Sequence, residues 1–378
     1  MTAWGRFLFE RNFTKIICAG CASGLTEERV FEFYFREAFM SNSSPILVTG
    51  GAGYIGSHTV RLLASQGHKV VVLDNLVFGH ERAILDPGVE LVVGDVGDQT
   101  LVRGLFEKYG FGAVVHFAAY AYVGESVTNP LKYYQNNTAE PIKLLQVMQE
   151  FGCKVFVFSS TCATYGVPDK LPITETNRQS PINPYGHSKL MVERILADCD
   201  TAWGLRSACL RYFNASGCSS DGLIGEDHDP ETHLIPRVLM AVTGEIEFLE
   251  VFGTDYATPD GTCIRDYIHV EDLADAHARA LEFLSEGGGS VRCNLGTGVG
   301  VSVREIISAV EEVTGQSVPV KYGPRREGDP ASLVADPSLA KELLGWEATR
   351  RDIRDMIRPA WLWASGPNAG RYPANLVK

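Results

Sequence analysis

Thr49-Gly50-Gly51-Ala52-Gly53-Tyr54-Ile55-Gly56-Ser57-His58 follows directly on the apolar run Ile46–Thr49 and opens a stretch of helical periodicity. Gly50, Gly53 and Gly56 carry a G-x-x-G-x-x-G spacing between a strand and a helix. Without side chains at those positions, backbone N–H groups at a helix N-terminus can approach a pyrophosphate closely. Glycine-rich turns also simply join strands to helices, so the reading rests on the strand, turn and helix occurring in that order. Asp74, twenty-four residues beyond Gly50, ends a second apolar run, Val70–Asp74. A carboxylate there is placed to accept hydrogen bonds from both hydroxyls of an adenosine ribose and to repel a 2′-phosphate, which favours NAD over NADP. Asp95, after a third run, is placed to reach the adenine amino group or to serve only as a turn residue.

Working outward, apolar runs at 46–49, 70–74, 91–93, 113–117, 155–159 and 207–211 read as buried strands. Between them, 55–66, 100–109, 130–150 and 184–199 have helical length and periodicity. Such alternation predicts an α/β fold with a doubly wound parallel sheet covered on both faces. Beyond about residue 213 the pattern loosens into Gly-, Asp- and Pro-rich loops at 217–230 and 253–261, as expected of a smaller ligand-covering α/β domain. The expected division is an NAD-binding domain at 45–213, with 264–295 packing back on it, and a substrate domain at 214–378.

Composition narrows the function. The chain has 378 residues, 45% of them apolar, which is ample for a core. A formal charge of −12 argues against nucleic acid or an anionic membrane as partner, and no stretch approaches the length of a membrane span. The nine cysteines are odd in number and scattered, the pattern of buried thiols in a reducing, cytoplasmic setting. Cys18 and Cys21 alone are spaced like a redox or metal pair, and no second pair completes a zinc site, so no metal is expected.

Tyr185-Gly186-His187-Ser188-Lys189 supplies the candidate chemistry. With fourteen tyrosines in the chain, a Tyr-x-x-x-Lys spacing arises easily by chance, and context must give it weight. Asn183 and Pro184 have the form of a helix cap and first helical residue, which sets Tyr185 in the first turn and Lys189 one turn on, along the same face. An ammonium and a helix N-terminus both favour phenolate, so Tyr185 is a candidate general base. Thr161 ends the preceding strand, where its hydroxyl would face the same crevice.

Together these residues resemble the short-chain dehydrogenase/reductase superfamily, with its Rossmann-type fold, and specifically the extended nucleotide-sugar branch. His116-Phe117-Ala118-Ala119, Val123-Gly124-Glu125-Ser126, Arg211-Tyr212-Phe213-Asn214, Arg265-Asp266-Tyr267-Ile268-His269-Val270 and Arg325-Arg326-Glu327-Gly328-Asp329 narrow the resemblance to the UDP-glucose 4-epimerase family, from about residue 45 onward. It implies tightly held NAD, proton removal from the sugar 4-hydroxyl by Tyr185, a hydrogen bond from Thr161, and return of hydride to the other face of a transient 4-keto sugar. It further implies an NAD pocket including Tyr54, Ile55, Asn75, Val96, Phe117, Ala118, Asn136, Lys189 and Tyr212. Asn214, His233, Arg265, Arg326 and Asp329 would hold the UDP part of the substrate, and Leu333 would set the room around the sugar. A homodimer formed through helices of the main domain is also implied.

The chain departs from the family pattern in places. Ala121 stands where many members carry a lysine near the cofactor, and His233 where an asparagine often contacts UDP. The Ala119-Tyr120-Ala121-Tyr122 form is shared with UDP-pentose 4-epimerases, and Leu333 occupies a position filled elsewhere by a large Tyr or a small Cys, which leaves N-acetylhexosamine turnover open. Cys162 and Ala163 follow Thr161 where the related 4,6-dehydratases need an Asp-Glu pair, so dehydration lacks its acid and base. A net oxidoreductase and a non-catalytic sensor are the competing functional readings.

Residues 1–44 read as an extension outside the fold, disordered or preceding a true start at Met40. A leader ending near Cys21 and an amphipathic arm with Val30, Phe31, Phe33, Tyr34, Phe35 and Phe39 as its apolar side are the other readings.

Overall fold

A computed structural model describes residues 44–326, 329–367 and 369–373. Met40, the Cys18 and Cys21 pair and the arm near residues 30–39 lie outside the described residues.

Seven parallel strands form the main sheet: β1 Ile46–Thr49, β2 Val70–Asp74, β3 Glu90–Val93, β4 Ala113–His116, β5 Val155–Thr161, β6 Arg206–Tyr212 and β10 Val291–Leu295. Their order is β10-β6-β5-β4-β1-β2-β3. The chain runs from β1 outward to β3, then returns to the other side of β1 at β4. The point of reversal opens a crevice at the C-terminal ends of β1 and β4, where ligands bind in such sheets.

The central strands are apolar over most of their length because both faces are covered, and successive residues serve opposite cores. Ile46, Val48, Val70, Val72, Val115 and Val157 join one buried cluster with helices α1 (Tyr54–Ser65) and α8 (Val270–Ser285). Leu47, Val71, Leu73, Val114, Phe156 and Phe158 join the other, beneath α2 (Gln99–Tyr109), α5 (Glu140–Glu150) and α6 (Pro184–Trp203). Each such side chain contributes about 1.5–3 kcal/mol on burial, so a register slip would exchange one packed face for another and disrupt both.

The stretch 130–150, read as one helix, is interrupted. Short helices α3 (Val123–Thr128) and α4 (Pro130–Tyr134) lead into a π-turn at Gln135–Ala139 before α5. Pro141 has no N–H to give the preceding turn, which is where the regular ladder widens. Helix α6 runs past the expected 199 to Trp203 and stops at Gly204, whose φ of 74° is left-handed.

Beyond β6, strand β7 (Asn214–Ser216) pairs with β9 (Ile264–His269), which also pairs with β11 (Gly300–Ser302) and β13 (Ser332–Leu333). A two-stranded ribbon, β8 (Leu249–Phe252) with β12 (Val320–Gly323), packs with α7 (Leu234–Thr243), α9 (Val303–Thr314) and α11 (Ile353–Ala364) around Ile235, Leu239, Val251, Ile306 and Met356. Helix α8 and β10 return to the main sheet, so the chain crosses between the two layers more than once.

Candidate active site

One cleft of about 1640 Å³ opens over the crevice and is lined by residues from both parts of the fold. It exceeds the ~300–1,000 Å³ usual for one drug-sized ligand, so two sizeable ligands can lie in it together.

The glycine turn forms one end. Gly50 adopts φ 70°, and a Cβ there would lie 2.4 Å from the Ala118 backbone nitrogen. A Cβ at Gly56 would meet the Gly50 carbonyl at 2.2 Å. These glycines let the turn close on itself and on the segment after β4. At Gly53 the nearest atom to such a Cβ is 3.4 Å away and the residue lines the cleft, so its bare backbone is available to a ligand.

Asp74 is buried at the same end, and its carboxylate accepts from Ala52 N–H at 3.0 Å and Leu76 N–H at 2.9 Å. Burial raises its pKa, and those two backbone donors oppose the rise. Asn75 donates to Asp95 at 3.2 Å, and both line the cleft with Val96, Tyr54 and Ile55. Farther along lie Phe117, Ala118 and Asn136. Asn136 sits in the π-turn and donates to Asn137, which in turn binds both backbone groups of Tyr120 at 2.9 Å. The widened turn therefore fastens the cleft wall.

The centre of the cleft is built by β5 and α6. Asn183 caps α6 by accepting from Gly186 N–H at 2.8 Å, a contact worth about 1 kcal/mol. Tyr185 is thereby held in the first helical turn, buried and beside Thr161. Thr161 also accepts from Ala163 N–H at 3.1 Å, which fixes its rotamer. Lys189 is 3% exposed and donates to the Ser159 carbonyl at 2.8 Å. Ser159 shares a 2.8 Å hydrogen bond with Tyr212.

The electrostatics differ from the sequence expectation. Burial, and next the Tyr212 phenol, push the Tyr185 pKa well above the ordinary phenol range, while Thr161 pulls it down. Burial lowers Lys189 to about 7, opposed by Glu193. The lysine reaches the strand-end carbonyl, and burial of the phenol outweighs the lowering by Thr161.

At the far end, Arg265 pairs with Asp329 and donates to the Ile264 carbonyl at 2.7 Å. The Arg326 guanidinium lies 4.0 Å from the centre of the Phe252 ring. Asn214 donates to the Asp266 carbonyl at 3.0 Å. All four residues line the cleft, as does Leu333, which packs against a cluster containing Tyr165, Ile173 and Phe213. His233 lines it too, although its Nδ1 lies 2.6 Å from Glu226 Oε1.

With this geometry in place, relatives can be compared. Residues 46–296 match the family model described as NAD dependent epimerase/dehydratase family. The chain belongs to that family. A protein named UDP-glucose 4-epimerase from Streptococcus mutans serotype c is 52% identical over 322 residues, covering 85% of this chain and 96% of the relative. The solved structure of UDP-glucose 4-epimerase from Brucella ovis in complex with NAD is 53% identical, with TM-score 0.83, covering 87% of this chain and 99% of its own. That from Bifidobacterium longum in complex with NAD+ and UDP is 40% identical, with TM-score 0.81, covering 87% of this chain and all (100%) of its own.

Sequence reasoning missed several features of the family site in this chain. The Phe252 ring under Arg326 carries no signal in its own neighbourhood, because 74 residues separate the two. The grouping of Glu226, His228, Glu231 and His233 is visible as a spacing but goes unread, because 217–230 reads as loop and His233 as a contact to UDP. Seven described cysteines are free thiols, four of them buried. No helix among the described residues is long and apolar enough to cross a membrane.

Proposed function

We propose that this chain interconverts UDP-glucose and UDP-galactose by 4-epimerisation, with NAD retained through the cycle. The observation that carries the proposal is the one continuous cleft in which Thr161, Tyr185 and Lys189 lie between a dinucleotide turn and a pair of arginines. The relatives named for this reaction match the chain along nearly their whole length.

Gly50, Gly53, Gly56, Tyr54, Ile55, Asp74, Asn75, Asp95, Val96, Phe117, Ala118, Asn136, Lys189 and Tyr212 would hold NAD. When bound, NAD supplies reversible acceptance of hydride and a positive charge beside the reacting carbon. Tyr185 takes the proton of the sugar 4-hydroxyl, and Thr161 hydrogen-bonds that same oxygen and holds it against the phenol. Lys189, anchored on Ser159, places a cationic group behind the phenol and supports the negative charge that develops there. Tyr185 gives the proton back after the 4-keto sugar has presented its other face. Configuration inverts and no cofactor is consumed.

Asn214, Arg265, Arg326 and Asp329 would grip UDP. Guanidinium forks suit diphosphate oxygens, and the short pairing of Arg265 with Asp329 orients both for such a ligand. His233 and Leu333 stand on the wall around the bound substrate. Cytoplasmic location and a homodimer belong to the same proposal. Exposed Val127, Leu131, Ile142 and Met191 lie on α3, α4, α5 and α6, helices of the main domain with apolar surface to cover.

The test incubates purified protein, with no NAD added, separately with UDP-galactose, UDP-arabinose and UDP-N-acetylgalactosamine, and resolves the products. Conversion of UDP-galactose supports the reading, and the other two sugars report how far Leu333 restricts the pocket. Absence of conversion in all three, with NAD bound, would favour a net oxidoreductase or a sensor.

A further inference from the structure

On the cleft wall, away from Thr161, Tyr185 and Lys189, the loop between β7 and α7 turns four side chains onto one point. Glu226, His228, Glu231 and His233 each bring one ligand atom, all within 4.8 Å of one another. His228 Nδ1 stands 3.3 Å from Glu226 Oε1 and 3.5 Å from Glu231 Oε2. His233 Nδ1 stands 2.6 Å from Glu226 Oε1 and 3.4 Å from Glu231 Oε1. Both Nδ1 atoms and Glu226 Oε1 are buried, yet none makes a hydrogen bond of acceptable geometry. The four ligand atoms therefore lie close enough together to share one ion.

We infer that this cluster is a structural zinc site. Ligand atoms arranged tetrahedrally at bonds of ~2.0–2.1 Å lie about 3.3–3.5 Å apart, and with Glu231 binding through Oε2 the separations of His228 Nδ1 from Glu226 and Glu231, 3.3 and 3.5 Å, fall there. Two imidazole nitrogens and two carboxylates suit zinc better than calcium or magnesium, which prefer all-oxygen shells. Two neutral imidazoles, two carboxylates and a divalent ion sum to zero, so the buried group needs no outside counter-charge.

The surroundings hold the ligands in place. Glu231 Oε1 accepts from the Thr232 and His233 N–H groups at 2.7 Å each, and the Glu226 carbonyl accepts from Trp363 Nε1 at 3.0 Å. The neighbouring Asp227 is already paired with Arg371 at 2.8 Å. The rings of Tyr54 and Tyr122 stand edge-on to His228 at 6.3 and 6.1 Å and wall the site from the cofactor side.

With four protein ligands the ion has no open position and no part in the chemistry. It ties the loop after β7 to His233, the residue that starts α7, and so fixes the substrate wall against the helix that follows the glycine turn. The expectation of no metal came from weighing cysteine pairs, whereas these ligands follow an E-x-H-x-x-E-x-H spacing inside a Gly- and Asp-rich stretch. This inference does not depend on which sugar is turned over.

The test uses the full chain without a histidine tag, purified without chelator. Elemental analysis should find about one zinc per chain. Returning ZnCl2 to the chelator-treated protein should raise Tm by roughly 3–6 °C. A His228→Ala, Glu226→Gln double variant should lose both the zinc and the rise. Cobalt(II) added to stripped wild-type protein should give the visible absorption of a tetrahedral site, and that readout stands even if the variant does not fold. Zinc at background together with an unchanged wild-type Tm, or cobalt without that absorption, would overturn the site. The cluster would then be an imidazolium–carboxylate network, in which burial opposes charging but Glu226 and Glu231 hold His228 up to about 9.

Discussion

Lys189 donates its ammonium to the carbonyl of Ser159 across 2.8 Å, from a position 3% exposed to solvent. The contact joins α6 to the end of β5, the two elements that carry Tyr185 and Thr161. It ties the two elements together, and it does so with a charge that burial disfavours.

Lys189 should make stability depend on pH. Its folded pKa, about 7, lies below the ordinary lysine value of 10.5. The unfolded chain therefore binds more protons between those values, and stability rises with pH across that window. The cost of burying the charge is fully present below about pH 7 and is relieved as pH rises. In cofactor-free protein, Lys189→Met should have the higher Tm at pH 6, and the gap to wild type should narrow by pH 9. Calorimetry on both proteins isolates this group from the histidines, which titrate alike in each. A constant gap would show that Lys189 does not titrate in this range.

Tyr185→Phe removes one oxygen from a buried side chain and leaves its packing. Turnover should fall roughly 10²–10⁴-fold, with bound NAD and Tm close to wild type. Product resolution, cofactor content and calorimetry on the same preparation check this. Activity near wild type would remove Tyr185 from the proton transfer.

Thr161 accepts from Ala163 N–H and also lowers the pKa of the Tyr185 phenol beside it. Thr161→Ala should lower turnover by roughly 10²-fold and stability by about 1 kcal/mol. Thr161→Ser keeps the hydroxyl and should restore both. Recovery of stability without recovery of rate would limit Thr161 to capping the turn.

The three glycines of the turn should separate into two classes. Gly56→Ala forces a Cβ to within 2.2 Å of a backbone carbonyl, so soluble folded protein should be lost or its Tm sharply lowered. Gly53→Ala meets nothing closer than 3.4 Å and should fold, while its methyl projects toward the ligand and lowers NAD content. Purified yield, Tm and absorbance of bound cofactor distinguish the two.

The parts legible in the sequence are those set by nearest neighbours along the chain. The apolar runs, the glycine turn after Ile46–Thr49 and the Asn183-Pro184 start of α6 follow from local sterics, periodicity and capping. The π-turn at Gln135–Ala139 escaped because Pro141 was read within a periodic helix, and periodicity alone does not register a missing N–H. The placement of Lys189 escaped for another reason: its partner Ser159 is thirty residues away, on a strand whose end is defined only by the folded sheet.

The sequence by itself determined the strand and helix pattern, the glycine turn and the candidate site residues, because each depends on residue type and short spacing. Only the tertiary structure decided which way the charges lean. Burial in a shared cleft raises Tyr185 and lowers Lys189, and the pairing of Arg265 with Asp329 across 64 positions is made by strand order. Desolvation and long-range contact depend on what surrounds a residue in space, and spacing along the chain does not encode that.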